Sequence, residues 1–182
     1  MEKLITSPNK ALITEAQIRA RIRELGNQIS IDYADQELVL VCVLRGATLF
    51  FADLAREISL PLRFEFLQIS SYNNSTHPSK DIEFIHTGSD YIKHRNVLIV
   101  EDIIDTGHTL NFLLEHLKPL NPKSLKICTL LNKPSRRQVS VHIDYAGFEV
   151  PNVFLVGYGL DYAQMYRNLP YIAVIEPFTN SE

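Results

Sequence analysis

Three carboxylates stand close together in the stretch VLIVEDIIDTGHTL, Val97–Leu110. Glu101 and Asp102 adjoin a run of branched apolar residues, and Asp105 follows shortly after them. Two adjacent unpaired carboxylates at the end of a buried strand are costly to bury and need cations or hydroxyl donors as partners. A sugar diol together with a magnesium ion would satisfy both, so the stretch is a candidate site for a sugar and a metal.

The residues after these acids form a turn that could hold a phosphate group. Asp105, Thr106, Gly107, His108 and Thr109 lead into a segment with leucines at helical spacing. Backbone N–H groups and the dipole at a helix N-terminus bind phosphate monoesters, and glycine permits a close approach or a positive φ. The P-loop pattern Gly-x-x-x-x-Gly-Lys is missing, and the turn has no lysine. The alternative is an ordinary polar turn in which Asp105 or Thr106 caps the helix.

Buried strands and amphipathic helices must position such a turn, and the sequence predicts both. Thr14–Gln17 has the form of a helix capping box, and an apolar stripe at helical spacing follows it. Further helices are expected at 46–58 and 110–117. Polar residues 70–81 are expected to form a long loop, with a returning hairpin strand at 82–85. Apolar strands are expected at 38–44, 62–69, 96–100, 125–131, 152–158 and 171–175.

The alternation of strands and helices predicts an α/β fold with an open, mostly parallel sheet flanked by helices. With 182 residues, 46% of them hydrophobic, the chain can bury the core of a single domain covering 1–182. In such sheets ligands bind beyond the carboxyl ends of the strands. The residues that follow the predicted strands are polar and charged, so we expect the chemistry at that edge.

Composition and charge restrict the possible partners. The net charge is −3 and the pI is near 6.1, whereas nucleic-acid binding rests on clustered Lys and Arg, so no nucleic-acid partner is expected. No apolar run has the length of a membrane span and no cleavable leader pattern is present, so we expect no membrane partner and a cytoplasmic location. Cys42 and Cys128 lie in apolar runs, as buried thiols of a reducing compartment do. The six histidines lack zinc-ligand spacing.

Several segments, in order along the chain, resemble the motifs of the purine phosphoribosyltransferases, in the form carried by the enzymes for hypoxanthine and guanine. VLIVEDIIDTGHTL resembles their phosphoribosyl-pyrophosphate motif, and VLRGA resembles their pyrophosphate loop. SSY is similar to the start of their mobile catalytic loop, LLNKPSRR to their purine-contacting segment, and VFLVGYGLDYAQMYRNLPYI to their C-terminal hood. The resemblance implies the type I phosphoribosyltransferase fold, a hood subdomain roughly from 1–20 and 150–182, and a homodimer or homotetramer.

The resemblance also implies roles for the acidic stretch. Glu101 and Asp102 would hold the ribose hydroxyls and a magnesium ion (Mg²⁺). The turn Asp105–Thr109 would bind the 5′-phosphate, with His108 contributing its backbone. Asp105 would also act as general base or proton acceptor at N7 of the purine, a role suited to a carboxylate held near a heterocycle.

Further roles are implied on the pyrophosphate side. Arg45–Gly46, preceded by a non-proline cis peptide bond, and Arg167 would bind pyrophosphate. Asp161 would hold a second magnesium ion there and lie close to the base. Ser71 and Tyr72 would begin a mobile loop that closes over the site and excludes water.

On the purine side, the resemblance implies three more contacts. Lys133 would donate a hydrogen bond to O6 of hypoxanthine or guanine, where adenine carries an amino group. Phe154 would stack on the ring, and the backbone of Leu155 would contact its edge, with Asp161 close by. Read without the resemblance, Lys133 is a solvated lysine, and Phe154 and Leu155 are strand core. The resemblance thus implies a 6-oxopurine phosphoribosyltransferase of purine salvage, which converts hypoxanthine or guanine and phosphoribosyl pyrophosphate to IMP or GMP and pyrophosphate.

Two other functions stay open at this point. One is a non-catalytic regulatory protein on the same fold that senses a nucleotide and contacts RNA or DNA; the acidic net charge and the single basic cluster Lys133–Arg137 disfavour it. The other is a phosphoribosyltransferase for another base. Lys133 and the EDIIDTG form oppose adenine and uracil, but neither ranks hypoxanthine, guanine and xanthine.

Overall fold

The computed structural model describes residues 11–72, 79–84 and 89–175, and the structural statements below concern these residues. The helices and strands, in chain order, are β1 (Ala11–Ile13), α1 (Glu15–Asp32), β2 (Leu38–Leu44), α2 (Thr48–Glu57), β3 (Leu62–Tyr72), β4 (Ser79–Phe84), β5 (Asn96–Ile104), α3 (His108–Leu117), β6 (Ser124–Asn132), β7 (Tyr145–Glu149), β8 (Leu155–Val156) and β9 (Ile172–Val174).

Six strands form the central sheet, in the order β4-β3-β2-β5-β6-β7. All neighbouring strands are parallel except β3 and β4, which form an antiparallel hairpin. The predicted open, mostly parallel sheet is therefore confirmed. Because parallel strands end at the same edge, the turns after β2, β5 and β6 lie side by side, with the β5 turn in the middle.

The central strands are apolar throughout because both faces of the sheet are covered. Side chains alternate along β2: Leu38, Leu40 and Cys42 pack into the core with α1 and α2, and Val39, Val41 and Val43 pack into the core with α3. Full burial of one such aliphatic side chain contributes about 1.5–3 kcal/mol. Strand β2 thus joins the two cores and holds the turn that follows it.

The capping box at the start of α1 is confirmed. Thr14 Oγ1 accepts from the Gln17 N–H at 3.3 Å, and Gln17 Oε1 accepts from the Thr14 N–H at 2.9 Å. The predicted stripe on this helix is buried at all four positions: Ile18, Ile22, Leu25 and Ile29. The other two predicted helices are present as α2 and α3, with slightly different first residues.

The predicted strand at 152–158 is wrong in extent and in place. Only Leu155–Val156 is a strand, and it pairs with β9 in a separate antiparallel sheet of order β1-β9-β8. The last parallel strand of the central sheet is instead Tyr145–Glu149, which was not predicted. Its sequence YAGFE has no apolar run, because it is an edge strand, where a continuous apolar pattern is not needed. The small sheet joins the two chain regions assigned to the hood, whose boundaries stay a prediction.

The predicted loop at 70–81 is partly strand. β3 runs on to Tyr72 and β4 starts at Ser79, with Ser71 opposite Lys80 in the register. A backbone ladder forms between two extended segments whatever their side chains, so a polar sequence did not prevent it. Residues 73–78 and Ile85, which belonged to the predicted loop and strand, lie outside the described residues.

No helix in the described ranges is both long and apolar enough to cross a membrane.

Candidate active site

The turn after β5 is closed by a glycine. β5 ends at Ile104, α3 begins at His108, and the helix N-cap is Gly107, with φ of 90° and no side-chain cap. The alternative in which Asp105 or Thr106 caps the helix is therefore wrong. The first backbone N–H groups of an α-helix have no acceptor within the helix, so a phosphate in front of this turn can accept from them.

The segment after β6 holds this turn from behind. The backbone N–H groups of Gln138 and Val139 both donate to the Thr106 carbonyl, each at 3.0 Å. A Cβ on Gly107 would lie 2.5 Å from the Val139 carbonyl oxygen, so both the contact and the positive φ require glycine. The His108 ring is hydrogen-bonded to Gln138, at 3.1 Å. Gln138 and Val139 were not predicted from the sequence, because no local pattern relates them to a turn so distant in the chain.

The two carboxyl groups at the end of β5 are poorly solvated. Glu101 is 8% exposed, and its buried Oε2 has no hydrogen-bond partner among the described residues. Burial, reinforced by the Asp102 carboxylate, raises the pKa of Glu101 well above its ordinary value. Burial also raises the pKa of Asp102, although hydrogen bonds, including one from the Ile103 N–H at 2.8 Å, and the charge of Arg167 act in the opposite direction. Such a pair favours a cation or hydroxyl donors as partners.

Gly46 brings the turn after β2 against Asp102. A Cβ on Gly46 would lie 1.7 Å from Asp102 Oδ2, so a larger residue requires the carboxylate to move. The peptide bond between Leu44 and Arg45 is cis, as the resemblance implied. The Gly46 carbonyl oxygen lies 2.0 Å from the position of a Cβ on Gly159, which has φ of 100°. Gly159 was not among the predicted site residues, although the Gly-Tyr-Gly pattern that contains it was an available signal.

Arg167 and Asp161 form an ion pair of 2.7 Å. Arg167 also donates to the Gly159 carbonyl at 2.6 Å, and Asp161 accepts from the Gln164 N–H at 2.9 Å. The predicted pyrophosphate-binding arginine and the predicted second metal ligand therefore pair with each other, and a metal ion at Asp161 would compete with Arg167 for the carboxylate. Within the described ranges, no three His, Cys, Asp or Glu side chains group as a metal site. A metal ion here would need further oxygen ligands from substrate or water.

Asp105 is half-exposed and forms an ion pair with Arg136. The distance from Arg136 Nε to Asp105 Oδ1 is 3.0 Å, and the side chains are 46% and 40% exposed. The pair links the turn after β5 to the turn after β6. Asp105 is accessible from solvent, which a proton acceptor for a ligand requires. Arg136 was not among the predicted site residues, although it lies in the basic cluster Lys133–Arg137.

Lys133 is buried and directed at the segment that carries Phe154. Its Nζ donates to the Val153 carbonyl at 2.8 Å, so the interpretation as a solvated lysine is wrong. An ammonium group has three donors, which leaves two for a ligand. Phe154 is 43% exposed and contacts Tyr162 edge-to-face, with ring centroids 5.6 Å apart, whereas Leu155 is buried in β8. A buried cation therefore contacts the segment that carries an exposed aromatic side chain.

Ser71 and Tyr72 are the last residues of β3, and their backbones pair with Lys80 and Ser79 of β4. The tip between these strands, residues 73–78, lies outside the described residues. The predicted closure of this loop stays a prediction, as do the roles of all site residues toward a substrate.

Comparison with known sequences shows the class of the protein. The pattern of the phosphoribosyl transferase domain matches residues 10–163, which is most of the chain. The chain therefore belongs to the phosphoribosyl transferase family, in agreement with its fold.

Within this family, the chain is similar to enzymes named for hypoxanthine and guanine. It is 48% identical over 172 residues to hypoxanthine-guanine phosphoribosyltransferase of Mycobacterium avium, covering 91% of this chain and 85% of that protein. It is 48% identical over 168 residues to hypoxanthine phosphoribosyltransferase of Salmonella typhimurium, covering 91% and 94%. A crystal structure of a hypoxanthine phosphoribosyltransferase from Staphylococcus aureus superposes with a TM-score of 0.85 at 39% identity, covering 96% and 97% of the two chains.

Proposed function

We propose that the protein transfers the phosphoribosyl group of phosphoribosyl pyrophosphate to N9 of hypoxanthine or guanine, forming IMP or GMP in purine salvage. The observation that carries the proposal is the close approach of Gly46 to Asp102 on one side and to Gly159 on the other. This contact joins the turn proposed for pyrophosphate to the carboxylates proposed for ribose. The turn proposed for the 5′-phosphate follows on the same strand, and the relatives named above act on the bases in their names.

The proposed mechanism divides the site by chemical group. The backbone of the turn Asp105–Thr109 orients the ribose through its 5′-phosphate. Asp105 accepts the proton at N7 while N9 bonds to C1′ and pyrophosphate departs from it. Arg45–Gly46 and Arg167 bind the departing group, and closure of the loop after Tyr72 excludes water from the activated sugar.

Base selection is assigned to the segment near β8. The Lys133 ammonium donates to O6 of a 6-oxopurine while Val153 accepts another of its hydrogens. Adenine carries an amino group at this position, so two hydrogen-bond donors would face each other. One unsatisfied buried group costs about 1–3 kcal/mol, which corresponds to roughly ten- to a hundredfold in selectivity. Phe154 stacks on the ring, and the backbone at Leu155 together with Asp161 lies at its edge.

The carboxylates suit magnesium, which prefers oxygen ligands and keeps several waters. The buried Oε2 of Glu101, which has no partner within 11–72, 79–84 and 89–175, and the raised pKa of both β5 carboxyls fit a site completed by a divalent cation. Glu101 and Asp102 would hold it together with the ribose hydroxyls, and Asp161 would hold a second ion once released by Arg167. When bound, magnesium neutralises charge on the pyrophosphate group.

The setting of the protein belongs to the same proposal. Two free cysteines, both buried, agree with a reducing, cytoplasmic compartment. We propose a homodimer or homotetramer and no nucleic-acid partner. A filter-binding titration with RNA at low salt tests the competing regulatory function, and saturable binding would support that function over ours.

The decisive experiment is a spectrophotometric assay with phosphoribosyl pyrophosphate and magnesium chloride against hypoxanthine, guanine, xanthine and adenine, each alone. We expect turnover with hypoxanthine or guanine, little with adenine, and none when a chelator removes magnesium. Absence of turnover with all four bases would contradict the proposed function. The relative rates with hypoxanthine, guanine and xanthine would rank these three bases.

A further inference from the structure

The turn Asp105–Thr109 has no cation of its own. It contains an aspartate, two threonines, a glycine and a histidine, and that histidine ring is hydrogen-bonded to Gln138. Under the proposed function this turn must hold a phosphate dianion. Backbone N–H groups and a helix dipole provide only part of a compensating charge, so a full positive charge nearby would add to binding.

Arg137 places such a charge directly behind the turn. Its Cδ lies 3.1 Å from the position of a Cβ on Gly107, so the aliphatic stem packs against the N-cap. Its Nη2 donates to Asn132 Oδ1 at 2.5 Å and makes a long contact of 3.5 Å with the Ile104 carbonyl oxygen. The side chain therefore spans the ends of β5 and β6 and contacts the turn at its start and at its glycine.

Arg137 is half-buried, and two of its three guanidinium nitrogens are buried without a countercharge. Its Nε and Nη1 are buried and have no hydrogen-bond partner in the part of the chain that the structure describes. No carboxylate in that part of the chain forms an ion pair with Arg137. The charge of Asp105 acts on Arg137, but Asp105 forms its ion pair with Arg136 instead. Burial lowers the pKa of Arg137, partly offset by the charge of Asp105. A half-buried cation with two unpaired donors is stabilised when an anion binds nearby.

We propose that Arg137 is a positioning residue for the 5′-phosphate. From behind the turn, Arg137 supplies the positive charge that the turn itself lacks. The proposal rests on the proposed function and deepens it: Arg137 makes the site select phosphorylated ribosyl ligands. A purely structural arginine, joining β5 to β6, is the competing explanation. The two explanations predict different effects of a neutral substitution at Arg137 on the Tm of the free protein and on its affinity for IMP.

The test compares Arg137→Gln with Arg137→Lys and with the matched control Arg63→Gln. Arg63 lies near the start of β3, at the opposite edge of the sheet. The substitution Arg63→Gln removes the same charge from a half-exposed position. Calorimetric titration measures Kd for IMP, steady-state kinetics measures KM for hypoxanthine at saturating phosphoribosyl pyrophosphate, and a thermal melt measures Tm of each free variant.

For Arg137→Gln we expect Kd for IMP to rise about tenfold or more, as loss of a poorly screened charge near a dianion predicts. KM for hypoxanthine should stay within about twofold, and Tm of the free protein should be equal or higher, since a buried unpaired charge is removed. Arg137→Lys, which keeps the charge, should recover most of the IMP affinity. Arg63→Gln should bind IMP as the wild type does.

Three outcomes would overturn the inference. The first is unchanged IMP affinity in Arg137→Gln, and the second is a loss of IMP affinity in Arg137→Lys as large as that in Arg137→Gln. The third is a marked fall in Tm of Arg137→Gln, or its failure to fold, which is the result that a structural role predicts. Failure of the proposed function is recognised separately, because the wild type would then form no IMP from hypoxanthine and phosphoribosyl pyrophosphate.

Discussion

Three acids within one short stretch have three different surroundings. Glu101 is buried, with one oxygen that has no partner among the described residues, Asp102 lies against Gly46, and Asp105 is half-exposed and paired with Arg136. A carboxyl group's chemistry depends on its hydration and on neighbouring charges, so identical side chains can hold a cation in one place and accept a proton in another. The three surroundings therefore support the proposal that this stretch has several chemical roles, although it contains no unusual residue.

Asp105→Asn should lower turnover far more than substrate binding. An amide of the same shape cannot accept the N7 proton, and general-base catalysis typically contributes about 10²–10⁴-fold. The measurement is kcat and KM for hypoxanthine by steady-state kinetics. Asp35→Asn, at an exposed turn with φ of 60° that asparagine tolerates, is the matched control. Near-normal kcat in Asp105→Asn would exclude the general-base role.

Lys133→Met should narrow the preference for hypoxanthine over adenine. The substitution keeps an unbranched side chain in the buried position and removes the donors to O6, so the preference should fall by roughly ten- to a hundredfold. The ratio of kcat/KM for the two bases measures it, and exposed Lys118→Met serves as the control. An unchanged ratio would show that O6 is recognised by another group.

At the scale of elements, the site depends on turns that touch although they are far apart in sequence. The turn after β2 meets Asp102 at the end of β5 through Gly46, and the segment after β6 closes the β5 turn through Gln138 and Val139. Helix α1 was fully predictable because its capping box and apolar stripe are local patterns. Edge strand β7 was not, because partial burial leaves no apolar pattern in its sequence.

Gly46→Ala should remove most activity while leaving the fold intact. The added methyl group would lie 1.7 Å from Asp102 Oδ2, so the carboxylate or the turn must shift by an ångström or more. Misplacement on this scale at a reacting group can cost about 10²-fold in rate. Steady-state kcat/KM measures the loss, and far-UV circular dichroism with a thermal melt checks the fold. Activity equal to that of the wild type would mean that Asp102 need not hold its present position.

At the scale of the whole molecule, the two cysteines report on the integrity of the core. Cys42 on β2 and Cys128 on β6 belong to the same core, on the face of the sheet covered by α1 and α2. Both are completely buried, and burial raises the pKa of both thiols, to about 12 for Cys42, where Glu101 adds to the effect.

Neither thiol should react with Ellman's reagent in the native protein at pH 8. A thiol with its pKa raised to about 12 is protonated below that pH, so only about 10⁻⁴ of it is thiolate at pH 8, and the reagent has no access to it. In guanidinium chloride both thiols should react at once, since their pKa values return to about 8.5. A thiol titrated within seconds in the native state would contradict this burial.

By itself, the sequence determined the fold class, the central strands β2, β3, β5 and β6, helix α1, and the acidic stretch with its turn, because each is carried by a local pattern of hydrophobicity, capping or charge. Only the tertiary structure decided what these features meet: Gly107 instead of Asp105 or Thr106 at the N-cap, Gly159 against Gly46, Arg136 on Asp105, and Arg137 behind the turn. Such contacts join residues far apart in the chain, and they follow from the order of strands and the packing of turns. Local sequence patterns do not predict which distant residues come into contact.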